Sequence, residues 1–89
     1  MISRSMELSW TAQAKKDLRA LPKEIQKRIA KKILWYLAQP HPFYFAKPLV
    51  DMPGLFRFRI GEYRAIVSPD GVILVVLRIQ NRSEAYRKK

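Results

Sequence analysis

Between residues 55 and 79 the chain alternates three short apolar runs with two turn signals, and that pattern leaves few folds open. Residues 55–60, 63–68 and 72–79 are rich in β-branched and aromatic side chains, the composition of strands. Gly61-Glu62 separates the first two runs, and Pro69-Asp70-Gly71 the next two. A Gly-X pair suits a two-residue type II′ hairpin, because glycine takes positive φ without strain. Pro-Asp-Gly favours a turn through its fixed φ and its Asx hydrogen bond. The spacing predicts a three-stranded antiparallel meander.

The first half has a different rhythm. Residues 6–10 alternate apolar and polar, as a strand with one buried face does. Thr11 is placed to cap a first helix running from 12 to about 21. Pro22 interrupts it and suits the first turn of a second helix, 22–38. There Ile25, Ile29, Ile33, Tyr36 and Leu37 recur every three or four residues and form an apolar stripe. Lys23, Lys27, Arg28, Lys31 and Lys32 occupy much of the rest. Pro40, Pro42, Pro48 and Pro53 disfavour helix across 39–53, which reads as a long connection. Trp10 and Trp35 read as core or edge aromatics, and 83–89 as a charged tail. The expected class is α+β: an N-terminal strand and an antiparallel three-stranded meander in one sheet, with a helical hairpin on one face. Its 89 residues hold one core, so residues 1–89 form a single domain.

Charge narrows the functions. Eighteen Lys and Arg oppose seven Asp and Glu, a net charge of +11. A polyanionic partner offsets that self-repulsion: nucleic acid, an anionic membrane surface or an acidic protein. No apolar run approaches the roughly 20 residues of a membrane span, and residues 1–10 lack a signal-peptide core. The expectation is a soluble, cytoplasmic protein. With no Cys and one His, neither a disulfide framework nor a Cys- or His-rich metal site is expected. The carboxylates show no pairing suited to metal or glycosidase chemistry. Gly54 and Gly61 are too sparse for a phosphate loop, so no cofactor is expected. His41 lies in the proline-rich connection, and nothing places a serine and a carboxylate beside it.

The segment Phe56-Arg57-Phe58-Arg59-Ile60 carries the most information. In a strand, Phe56, Phe58 and Ile60 face the core, and Arg57 and Arg59 the other side. A two-residue loop at Gly61-Glu62 then pairs Ile60 with Tyr63 and sets Arg59 opposite Arg64. Like charges directly opposite are destabilising, so arginines gathered this way ask for an anion. The bland alternative is an exposed face on which long arginine stems cover apolar surface. The tail adds Arg82, Glu84, Tyr86 and Arg87, with Tyr86 offering a ring on which a base can stack.

This order of parts, with GLFRFRIGEYRAIV at 54–67 and NRSEAYR at 81–87, resembles the RelE toxins of type II toxin–antitoxin systems. They lie within the RelE/ParE superfamily, and the resemblance spans residues 6–87. It implies a metal-independent, ribosome-dependent endoribonuclease that cuts mRNA in the A site and inhibits translation. It also implies neutralisation by an acidic RelB-like antitoxin in a hetero-oligomer. The family's catalytic positions fall on Arg57, Arg59, Arg64, Arg82 and Tyr86; Lys23, Lys27, Arg28, Lys31 and Lys32 would then bind ribosomal RNA. Two departures stand out. Arg57 and Arg59 replace lysines of some members, and Gln80 replaces a further arginine, for which Arg78 or Arg82 could substitute. The resemblance leaves two alternatives: a ParE-like poison of DNA gyrase, and a decayed toxin that binds RNA without cutting it.

Overall fold

The computed structural model describes residues 6–81. Along the chain run β1 (Glu7–Trp10), α1 (Ala12–Arg19), α2 (Lys23–Leu37), a 3-10 turn (Pro42–Phe45), β2 (Ala46–Pro48), β3 (Phe56–Ile60), β4 (Tyr63–Asp70) and β5 (Ile73–Asn81). The strands form one sheet in the order β1-β5-β4-β3-β2. β1 runs parallel to β5, and the other neighbours are antiparallel. The α+β class and the meander agree with the sequence. Arg82 and the tail 83–89 lie outside the described residues.

Three expectations need correction. The connection 39–53 is not all loop, because Ala46, Lys47 and Pro48 pair with Phe58, Arg57 and Phe56 as a fifth strand. Proline lacks the N–H of a two-sided strand but is tolerated at a sheet edge, where β2 lies. The second turn is Gly71-Val72, not Pro69-Asp70-Gly71; β4 continues through Asp70, opposite Ile73. Gly71 (φ +63°) and Gly61 (φ +59°) each open a two-residue turn whose second residue has negative φ, the II′ pattern. Pro69 is accommodated because β3 ends opposite Val67, leaving β4 with one neighbour beyond it. Lastly, α1 stops at Arg19 and α2 starts after Pro22, which caps the helix rather than filling its first turn.

The helices cover one face of the sheet. Phe58, Ile29, Ile33, Leu74, Val67 and Val76 are fully buried between the layers. Of the α2 stripe, Ile29, Ile33, Tyr36 and Leu37 are buried and Ile25 half-buried. Tyr36 stacks on Phe58 with centroids 4.6 Å apart, and its hydroxyl donates to the Arg59 carbonyl at 2.6 Å. Burial pushes the Tyr36 phenol above its ordinary pKa, against a smaller opposing effect from Arg59, so it remains a donor.

β1 ends at Trp10, and helix α1 closes the exposed stretch of β5 beyond it. The Thr11 N–H donates to the Val76 carbonyl at 3.0 Å. Its hydroxyl donates to the Leu77 carbonyl and accepts from the Ala14 N–H, the expected N-cap. The register then shifts at Ile66/Val67, leaving Leu77 as the extra residue of a bulge. Past the bulge, Asp17 Oδ2 accepts from the Ile79 N–H and from Arg78 Nε, each at 2.9 Å. Burial alone would raise the Asp17 carboxyl; the hydrogen bonds from Arg78, Ile79 and Gln13 outweigh it and hold the pKa below 3.8. Asp17→Ala is therefore expected to cost about 1–3 kcal/mol, since the Ile79 amide loses its acceptor. The ionic part of that stabilisation is fully present above pH 3.8 and is lost as pH falls through the depressed folded value. Denaturant melts of wild type and Asp17→Ala from pH 6 to pH 2 should thus show the gap narrowing at the acid end.

Candidate nucleic-acid interface

On the sheet face turned away from the helices, strand register fixes two rows of side chains. Lys47, Arg57, Ile66 and Arg78 are successive partners across β2, β3, β4 and β5. Arg59, Arg64 and Gln80 are partners across β3, β4 and β5. The expected Arg59–Arg64 pairing is present, one step from the Gly61-Glu62 turn. Arg59 is exposed, while Arg57 and Arg64 are half-buried. No carboxylate occupies a described position in either row. Like charges directly opposite one another across a strand pair cost stability.

Lys47 went unread in the sequence, because its strand is only three residues long and ends in proline. It stands opposite Arg57 and makes a second like-charged pair. Arg78 does not supply the charge absent at Gln80. Its guanidinium is held by Asp17, which also raises its pKa. Gln80 itself sits beside Arg64 and brings an amide rather than a cation. Arg82 and Tyr86 lie outside the described residues.

The second basic set is separate from the first. Lys23, Lys27, Arg28, Lys31 and Lys32 are all exposed on α2. That helix packs on the core side of the sheet, whereas alternation along the strands places the arginines on the other face; Arg28 reaches the Gly61-Glu62 turn, where it lines a pocket with Ile60 and Tyr63. Among them stands Trp35, 46% exposed, with the Lys32 ammonium 4.5 Å from its ring centroid. Trp10, by contrast, is half-buried against the core. Among the described residues, no group of three or more His, Cys, Asp or Glu could hold a metal, and no helix is long and apolar enough to cross a membrane.

A strand, a helical hairpin and a meander with an arginine-bearing outer face define the class of small α+β toxins to which RelE and ParE belong. Residues 8–86 match the family described as the ParE toxin of type II toxin–antitoxin systems, parDE. The chain belongs to that family, within the RelE/ParE superfamily, and is a toxin of a type II toxin–antitoxin system. It is similar to the toxin–antitoxin complex RelBE2 of Mycobacterium tuberculosis, at TM-score 0.74 and 26% identity, over 89% of this chain and 100% of that one. The archaeal RelE–RelB complex of Pyrococcus horikoshii gives 0.69 and 25%, over 89% and 97%. The chromosomal ParDE system of Pseudomonas aeruginosa gives 0.70 and 20%, over 89% and 98%, a likeness of fold alone. No curated protein matches the sequence.

Proposed function

We propose that this toxin is a ribosome-dependent mRNA endoribonuclease that cleaves in the A site and stops translation. The observation that carries the reading is the Arg59–Arg64–Gln80 row with Arg57 behind it, a cationic face already assembled on rigid strands. In metal-free RNA cleavage the 2′-hydroxyl attacks the adjacent phosphate. The P–O5′ bond breaks, the 2′-hydroxyl proton passes to water and the departing O5′ takes one up, and the products are a 2′,3′-cyclic phosphate and a 5′-hydroxyl. The phosphorane carries extra negative charge, which preorganised donors at close range stabilise. Guanidinium groups also hold a phosphate bidentately and so fix its orientation. Arginine stays protonated at neutral pH and is a poor general base. The face therefore acts through charge and orientation, and the ribosome holds the mRNA for in-line attack. Arg82 adds a further phosphate contact, and Tyr86 stacks on a base or donates a proton.

The same positive charge fits an acidic, amphipathic RelB-like antitoxin segment that folds as it binds. The M. tuberculosis and P. horikoshii structures are themselves toxin–antitoxin complexes. We place the toxin in the cytoplasm, in a hetero-oligomer with its antitoxin until the antitoxin is lost.

A second reading, a ParE-like poison of DNA gyrase, is favoured by the description of the matching family. Primer extension on mRNA after induction separates the two. Cuts that follow the reading frame are expected; intact mRNA together with trapped gyrase–DNA cleavage complexes would overturn the endonuclease reading in favour of the second.

A further inference from the structure

The outer face of α2 carries a feature that bulk charge does not require. Trp35 lies one helical turn from Lys31 and Lys32 and two turns from Arg28, so all four meet on one side of the helix. Together they line a shallow surface depression. Trp35 is held in place by neighbouring rings: Phe45 lies edge-on at 5.4 Å and Tyr36 at 5.6 Å between centroids. Phe45 comes from the 3-10 turn after α2, and Tyr44 on the same turn is 83% exposed. An exposed tryptophan braced by two other rings and surrounded by three cations has the two elements of a nucleotide subsite. One is a flat ring face, and the other is positive charge within reach of the flanking phosphates.

We propose that Trp35, with Arg28, Lys31 and Lys32, is a stacking subsite for an unpaired base of RNA. The inference rests on the RNA-directed reading above and deepens it, by giving the basic helix a preference for unpaired nucleotides over duplex. Lys32 already places a cation over the ring. When a base takes that face, the flexible lysine swings to the adjoining phosphate and keeps an anionic partner. Charge complementarity selects the occupant. The depression is walled by the indole ring and by the aliphatic stems of Arg28, Lys31 and Lys32, and the three charged heads that those stems carry suit a polyanion with π-faces better than the uncharged apolar side of a protein helix.

The test uses the full-length toxin and a fluorescein-labelled oligoadenylate, with an RNA duplex of equal length for comparison. Trp35→Ala is expected to weaken oligoadenylate binding about ten-fold. Trp35→Phe should retain most of the affinity, and duplex binding should be unchanged in both. Trp35→Ala removes no charge, so the salt slope should stay the same, whereas Lys31→Ala should lower it by about 0.7 for a single strand. Circular dichroism checks that the variants fold. Wild-type oligoadenylate affinity in Trp35→Ala, or an equal loss on duplex, would overturn the proposal. So would a loss confined to an acidic amphipathic peptide, which would make the patch a protein-docking surface. In-frame mRNA cuts are read separately: if they are absent while oligoadenylate binding depends on Trp35, the endonuclease reading falls and the subsite stands.

Discussion

Arg64→Ala is expected to lower mRNA cleavage on programmed ribosomes by about 100-fold or more, with the fold intact. Arg64 is the middle residue of the Arg59–Arg64–Gln80 row and half-buried, so its guanidinium has less freedom than a surface side chain. A charge that is fixed before the reaction stabilises the phosphorane more than one that must be ordered during it. Arg59→Ala should give a comparable loss of cleavage. Because Arg59 is exposed and sits opposite Arg64, its removal relieves a repulsion and should leave stability unchanged or raise it by a few tenths of a kcal/mol. Arg64→Lys keeps the charge but not the bidentate geometry, and should fall between wild type and alanine. On the proposed mechanism both groups act on one phosphate, so the double variant should lose less than the product of the two single losses. Single-turnover cleavage beside thermal melts reads all of this. Wild-type cleavage by either alanine variant would remove the face from the reaction.

How much of this was legible in the sequence depended on the range of the signals. The Arg59–Arg64 pairing could be read because Gly61 fixes a two-residue turn, and a turn of known length sets register for the strands beside it. The buried face of α2 could be read because Ile29, Ile33 and Tyr36 repeat at helical spacing. Lys47 could not be read, since β2 forms through pairing with β3 across an intervening loop and has little strand propensity of its own. The same holds for Asp17. Nothing local says that an aspartate in α1 will meet the Ile79 amide 62 residues away. That contact depends on where β1 ends and on the bulge at Leu77, and it is what removes Arg78 from the candidates for the missing charge. The aromatic surroundings of Trp35 were likewise hidden, because Phe45, which packs against it, comes from the proline-rich connection read as loop.

Phe58→Ala is expected to have the largest effect on stability, and its failure should differ in kind from that of Arg64→Ala. Phe58 is fully buried at the centre of β3, stacked on Tyr36 and 5.9 Å from the Phe43 centroid. Truncating such a ring costs about 3–5 kcal/mol. A domain of this length has on the order of 5–13 kcal/mol in total, so much of the stability is lost and the thermal midpoint should fall by about 20 °C or more. Arg57 and Arg59 flank Phe58 on the same strand, and unfolding disperses the cationic face with the core. Toxicity should therefore vanish in both variants, for different reasons. The antitoxin separates them, because a partner that binds only the folded toxin stabilises it by about 2.7 kcal/mol at 100 times its Kd. Phe58→Ala should accumulate as folded protein only when co-expressed with the antitoxin, whereas Arg64→Ala should accumulate alone. Cleavage by Phe58→Ala at low temperature, normalised to the folded fraction, should approach wild type. A Phe58→Ala toxin that melts near wild type would show that the β3–α2 stack is not what holds the arginine strand in place.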